Sequence, residues 1–314
     1  MGAALIELKF MPDISVIICT HNPREDYLHR VLDALNAQTL PKEQWELLLI
    51  DNASKEPLLG KWNLSWHPHA RHVREEELGL TPARLRGIKE SVGELLVFVD
   101  DDNVLFSNYL EHLLRISQDW RVLGVWSGRS LPAFDSPPAV WTKPYWKYLA
   151  LHDFSSASWG NFATAIDSFP CGAGMCIRRP VAEKYCEVVT SDIRMKHLGR
   201  KGNSLFSQED FQIVYCSIDA GLGFGRFPQL VLTHLIPRVR LTEDYFERLL
   251  EADSASSAIL QYCRGKYLPP SGLGRIKRWL KLAFKRGRDR RFYKAALKGE
   301  RDGVRIAKEW ANAL

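Results

Sequence analysis

Leu95 to Val99 is an unbroken apolar run that ends directly in Asp100-Asp101-Asp102, with Asn103 next. A short apolar run of this kind reads as a buried strand. Three adjacent carboxylates repel one another, and such crowding raises at least one of their pKa values. A strand end tolerates the cluster if a cation or an array of donors meets it; the plainer alternative is a solvated acidic turn. Hard divalent cations take oxygen ligands, and open α/β sheets bind ligands just beyond the carboxyl ends of their strands. The triplet therefore points to a sheet whose lip holds a divalent metal, and with it a phosphate.

The flanking sequence carries the sheet that this reading needs. Ile14 to Thr20 reads as a first strand, followed by the turn Thr20-His21-Asn22-Pro23, with Pro23 suited to open a helix. Tyr27, Val31, Leu32 and Leu35 then recur at helical spacing. Trp45 to Ile50 reads as a second strand that ends in Asp51-Asn52-Ala53-Ser54, and His72-Val73 as a short third. Thr81-Pro82 reads as an N-cap and first-turn proline of a helix carrying Leu85, Ile88 and Val92, stopped by Gly93. Phe106 to Ile116 reads as helix and Val122 to Ser127 as strand. Strand and helix alternating over short connections predict an α/β fold: a Rossmann-like, doubly wound, mostly parallel sheet with helices on both faces. The chain has no GxGxxG after the first strand and no GxxxxGK[ST], which argues against dinucleotide-fingerprint and P-loop proteins.

Beyond residue 130 the pattern changes. Pro132, Pro137, Pro138 and Pro144 interrupt a stretch rich in Trp, Tyr and Phe, including Trp141, Trp146 and Trp159. A long aromatic loop region reads as a binding wall or lid, or as packing beneath a loop. Phe169 to Ile177 reads as a strand interrupted by Gly172-Ala173-Gly174, glycines that allow close backbone approach. Ser207-Gln208-Glu209-Asp210 reads as an N-cap and acidic first turn of a helix running to Ala220. Val231 to His234 reads as a last short strand, and Thr242 to about Tyr262 as a helix.

The 314 residues divide by charge. Residues 264–314 carry 16 Lys and Arg against 4 Asp and Glu, while residues 1–263 carry 27 against 33. This sets a domain over 1–263, with halves 12–130 and 131–263, against a basic helical appendage over 264–314. Within the appendage Ile276, Trp279, Leu280 and Phe284 alternate with Arg275, Lys277, Arg278, Lys281, Lys285 and Arg286. That reads as an amphipathic helix suited to an anionic membrane surface, to packing on the domain, or to contact in a homo-oligomer. No nucleic-acid recognition motif accompanies the charge. Six cysteines without a CxxC pair, and no apolar run near the ~18 residues of a spanning helix, predict reduced thiols in a cytoplasmic protein, peripheral at most to the membrane.

Taken in order, Ser15-Val16-Ile17-Ile18-Cys19-Thr20-His21-Asn22, Ala37-Gln38-Thr39, Glu46 to Ser54, Gly79-Leu80-Thr81-Pro82-Ala83-Arg84, Asp100-Asp101-Asp102, Gly172-Ala173-Gly174-Met175, Glu209-Asp210 and His234 resemble an inverting family 2 glycosyltransferase of the GT-A fold. The resemblance implies a Mn²⁺ or Mg²⁺ cofactor, a nucleotide-sugar donor and a saccharide or lipid-linked saccharide acceptor. It implies a donor site made by Thr20, His21, Asn22, Asp51, Arg84, Asp100 and Asp101. Asp51 is the match for a residue that accepts a uracil or thymine N–H, which leans the donor towards a UDP- or dTDP-sugar; its other reading is a turn cap. Leu85 and Arg86 stand where the family usually has Asn after the helix arginine. Asp102 and His234 are the implied metal ligands, with Asp101 the alternative carboxylate and a core imidazole the alternative for His234. Asp210 is the implied base and Glu209 its neighbour; both otherwise serve as helix-terminal acids. Gly172, Ala173, Gly174 and Trp159 are assigned to the acceptor side. Two further readings are a sugar-nucleotide nucleotidyltransferase, whose usual Gly-rich loop after the first strand is missing here, and a non-catalytic carbohydrate-binding protein of the same fold.

Overall fold

A computed structural model describes residues 11–312. β1 (Ile14–Thr20), α1 (Glu25–Asn36), β2 (Trp45–Asn52), β3 (Ala70–Glu75), α2 (Leu80–Glu90) and β4 (Leu95–Asp100) come first. β5 (Asn103–Leu105), α3 (Tyr109–Asp119), β6 (Leu123–Phe134), β7 (Ser158–Gly160), β8 (Met175–Arg178) and α4 (Arg179–Ser191) follow. α5 (Glu209–Asp219), β9 (Gly223–Ile236), α6 (Glu243–Cys263), α7 (Gly272–Phe284) and α8 (Gly287–Asn312) complete the fold.

The strands form one sheet in the order β3-β2-β1-β4-β8-β6-β9-β5, with β7 paired to β9. β3, β2, β1 and β4 are parallel, as is the long β6–β9 pair; β8 and the short β5 and β7 run antiparallel. The doubly wound, mostly parallel sheet expected from the alternation is present. Strand periodicity makes its two faces. Val16 and Ile18 pack with α1 and α3 through Leu28, Val31 and Leu113, whereas Ile17 packs with α2, α4 and α5 through Ile88, Val181 and Ile213.

Register sets the functional edge. β1 and β2 align Thr20 with Asp51, and β1 and β4 align Cys19 with Asp100. The polar ends of three neighbouring strands therefore lie side by side. β5 turns back immediately after the triplet and aligns Asn103 with His234 of β9, carrying the histidine to the same edge.

Several local expectations shift. α1 begins at Glu25, so Pro23 precedes the helix instead of opening it. α2 begins at Leu80 with Gly79 (φ 141°) at its N-cap, which moves Pro82 inside the first turn and Thr81 out of the capping role. β6 runs on to Phe134 through Pro132, and β9 spans Gly223–Ile236, because each is the other's partner over that length. The expected strand over Phe169–Ile177 is limited to Met175–Arg178. Trp141 and Tyr145 pack against Phe246 and Phe292, and Trp146 against Phe134, so much of the aromatic stretch is core. The six cysteines are free thiols.

The basic stretch 264–314 is two helices with different surroundings. α8 packs along α6, where Arg288, Arg291 and Lys298 pair with Glu243, Glu247 and Glu251. At Gly299 a Cβ would overlap the backbone carbonyl of Glu251, so the two helices meet at backbone distance. Gly299→Ala is expected to destabilise the protein by about 1–3 kcal/mol, read as a lower midpoint in denaturant unfolding; an unchanged midpoint would refute this packing. α7 has no buried residue.

Candidate active site

A cleft of about 880 Å³ opens above the polar edge. Thr20, His21, Arg84, all three carboxylates of the triplet, Gly172, Ala173, Glu209, Asp210 and His234 line it. It joins the ends of β1 and β4 to the start of α5 and to β9 at Arg226 and His234, elements far apart in sequence.

The triplet divides its work. Thr20 donates its hydroxyl to Asp101. Burial and the neighbouring Asp102 push the Asp101 carboxyl up to about 7. Burial also raises Asp100, although the Arg84 guanidinium stands 3.8 Å away and opposes it. Burial works against the charge on Asp102 too, but His234 and Arg240 beside it hold its carboxyl well below the usual carboxylate range. His234 Nε2 lies 3.3 Å from Asp102 Oδ1, and Arg240 donates to Asp102 Oδ2 at 3.0 Å.

Two groups about 2.1 Å from a cation sit about 3 Å apart when adjacent in an octahedron. The Asp102–His234 spacing therefore suits a pair of neighbouring ligands. Among the described residues no three His, Cys, Asp or Glu side chains converge on one cation position. A cation here would draw its other ligands from diphosphate oxygens and water, the usual pattern for Mg²⁺.

On the far side of the cleft, Gln208 precedes α5 with φ 150°, a strained backbone conformation for a residue with a Cβ. Glu209 and Asp210 follow it directly. Glu209 faces Arg84 at 3.3 Å and also accepts from the Gln208 N–H (3.1 Å). Asp210 accepts from the Gly172 N–H (3.1 Å) and the Phe211 N–H (2.8 Å). Burial, then the Glu209 carboxylate, push Asp210 up to about 7. Arg84 is buried and sits 4.8 Å from the centre of the Phe98 ring, so one fixed cation spans Asp100 on one wall and Glu209 on the other. A Cβ at Gly172 would come within 3.3 Å of Arg84 Nη2 and 3.6 Å of Asp210 Cβ. The loop therefore lies in close contact with both groups.

Other sequence-derived residues lie elsewhere or do other work. Asp51 does not line the cleft. Its Oδ1 accepts from the Ser54 N–H, and its Oδ2 from the Leu58 N–H and Arg74. That is the turn-capping role. Its neighbour Asn52 lines the cleft instead. Asn22, at φ 48°, ties the end of β1 to the next turn by accepting from Lys55 N–H and donating to His21 Nε2. His21 Nδ1–H donates to the Asn52 carbonyl at 2.7 Å. Gly174 lies outside the lining, its carbonyl accepting from the Tyr109 hydroxyl at 2.7 Å. Trp159 also lies outside, half-exposed on β7 with its ring 6.1 Å from Trp120.

The cleft also holds cations that no motif in the sequence marks. Arg200, Lys201, Arg226 and Arg240 all line the cleft. Arg240 had a readable signal, since it stands six residues after His234. The others sit in loops or mid-strand with no distinguishing neighbours.

With this geometry in hand, the chain can be set beside known proteins. Glycosyltransferase AglE of Haloferax volcanii is 31% identical over 104 residues, covering 32% of this chain and 34% of that protein. The poly(ribitol-phosphate) beta-glucosyltransferase of Bacillus spizizenii is 31% identical over 110 residues, 34% of this chain and 17% of that protein. The matches thus cover about a third or less of these relatives' own length. The solved structure of S. aureus TarS 1–349 with UDP-GlcNAc is 15% identical, with a TM-score of 0.49 over 79% of this chain and 66% of that one. The sequence pattern of glycosyl transferase family 2 matches residues 15–185, from β1 through the acidic triplet into α4, and the chain belongs to that family.

Proposed function

We propose that the chain is a metal-dependent, inverting glycosyltransferase. It moves a sugar from a nucleoside-diphosphate donor to a glycan or lipid-linked saccharide in cell-surface polysaccharide synthesis. The observation that carries this reading is that Asp102 and Asp210 line one cleft, with Arg84 between them touching Asp100 and Glu209. Family membership supports the reaction class. The acceptor class leans on the relative named a poly(ribitol-phosphate) beta-glucosyltransferase.

Asp102 and His234 would hold a Mn²⁺ or Mg²⁺ ion, which would supply charge neutralisation for the departing diphosphate. Arg240, already within 3.0 Å of Asp102, and Arg200 add fixed positive charge at the same wall. Asp210 takes the proton of the acceptor hydroxyl as that oxygen attacks the anomeric carbon. The bond from that carbon to the diphosphate oxygen breaks, its electron pair leaves with the diphosphate, and the configuration inverts. Gly172 N–H holds one Asp210 oxygen in place during this step. Held donor and acceptor supply much of the remaining rate through proximity.

The base preference for a pyrimidine draws no support from Asp51, whose oxygens are taken by its own turn and Arg74. The test therefore offers UDP, dTDP, GDP and ADP side by side in thermal unfolding, with Mn²⁺ and with EDTA. At 100 times Kd, a stabilisation of about 2.7 kcal/mol, one nucleoside diphosphate is expected to raise Tm by roughly 4 °C with metal and not without it. Stabilisation by none of them would overturn the reading.

A further inference from the structure

α7 poses a physical problem that the fold does not answer. A 13-residue helix is marginal in water unless packing supports it, and α7 buries none of its residues. Trp279 is 67% exposed and Phe284 83%, with Leu273, Ile276 and Leu280 also exposed. At 3.6 residues per turn, Leu273, Ile276, Leu280 and Phe284 form one stripe, and Trp279 adjoins it. Arg275 and Lys277 flank that stripe on its two sides. Arg278 and Leu282 point the other way, half-buried, and Arg278 pairs with Glu300 of α8. The body thus holds α7 by the side that bears Arg278 and Leu282 and leaves the apolar stripe outward.

The charges identify what covers the stripe. No acidic residue occurs from Arg264 to Arg288. The cations of α8 are partly neutralised along α6, but Arg275, Lys277, Lys281, Lys285 and Arg286 make no ion pair among the described residues. A second copy meeting this face would bring two unneutralised basic borders together. An anionic bilayer offers an apolar interior and negative headgroups in one surface, the complement of a basic amphipathic helix with aromatic residues. No helix among the described residues is long and apolar enough to cross a membrane. We propose that α7 lies in the interface of an anionic bilayer, with Leu273, Ile276, Trp279, Leu280 and Phe284 inserted and the flanking cations on the headgroups.

The proposal stands apart from the transferase reading, because its test contains neither donor nor acceptor. The full chain is sedimented with vesicles of phosphatidylcholine containing phosphatidylglycerol, and with pure phosphatidylcholine. Binding is expected to the anionic vesicles only, and to fall with added salt. Lys277→Gln with Lys281→Gln should weaken it about 25-fold, since each cation near such a surface contributes about fivefold. The triple variant Ile276→Glu, Trp279→Glu, Phe284→Glu should not sediment, with circular dichroism and Tm unchanged because all three side chains are exposed. Absence of parent binding, or equal sedimentation of the triple variant, would overturn the proposal. So would a lipid-free dimer in analytical ultracentrifugation that the triple variant abolishes, which would assign the stripe to a second copy.

Discussion

Asp210→Asn is expected to lower kcat for sugar transfer by about 100- to 10,000-fold, the range that a positioned general base contributes. Donor binding, read by nucleotide-induced thermal shift, should be retained, because Asp210 stands across the cleft from Asp102 and His234. The amide keeps the shape and one acceptor, so it removes the proton acceptor with little change in packing. Two pH effects follow from the same carboxyl. Burial and Glu209 raise it to about 7, so kcat/KM should climb with pH and level off above an apparent pKa near 7. Stability should run the other way. A folded pKa above the unfolded value near 3.8 means that the native state holds this proton more tightly. The cost of ionising it is absent below the unfolded value and complete above the folded one. Asp210→Asn removes that cost, so its Tm advantage over the parent should grow between pH 5 and pH 8. A variant that keeps near-parental kcat would remove Asp210 from the reaction.

Asp102→Asn is expected to abolish the metal-dependent part of nucleoside-diphosphate binding and to reduce transfer by at least about 100-fold. Asp102 receives His234 at 3.3 Å and Arg240 at 3.0 Å, so it organises the whole positive wall. Two controls separate its roles. EDTA should reproduce the loss in the parent, and Mn²⁺ should restore it. Arg240→Gln should leave Mn²⁺ able to restore nucleotide binding, because Asp102 and His234 remain side by side. If EDTA has no effect and Arg240→Gln alone destroys nucleotide binding, the site works through arginine and not through a divalent cation.

Much of this fold was legible because it rests on local patterns. Ile14–Thr20, Trp45–Ile50 and Leu95–Val99 are apolar runs bounded by polar turns, and each became a strand. Their alternation with Tyr27-Val31-Leu35 and the later helices leaves few ways to close a sheet. Helix starts were less legible. Pro23 and Thr81-Pro82 carry start signals, yet α1 begins two residues later and α2 two residues earlier than those signals imply. Backbone contacts such as Gly79 N–H to Asn52 Oδ1 decide where the α2 end is anchored.

The site divides along the same line. Asp100-Asp101-Asp102 announces itself because three carboxylates at a strand end need an explanation wherever the chain goes. Asp51 also ends a strand and Trp159 belongs to the aromatic stretch, but neither lines the cleft. The carboxylate closed its own turn, and the ring met Trp120 instead of the cleft. Nothing in a sequence tells an aspartate facing a ligand from one facing three nearby donors. Arg200, Arg226 and Arg240 were missed for the converse reason: an arginine is common, and only its position makes it part of a site.

The sequence by itself determined a mostly parallel α/β sheet with an acidic lip, and a basic stretch at the far end of the chain. Those follow from side-chain periodicity and charge order, which are properties of neighbours along the chain. Only the tertiary structure decided that α5 sets Asp210 opposite that lip, that Arg84 links the two walls, and that α8 packs home while α7 stays bare. Those depend on sheet register and helix contact between residues more than a hundred positions apart, or on which of two adjacent basic helices packs along the acidic face of α6. Spacing alone does not encode either.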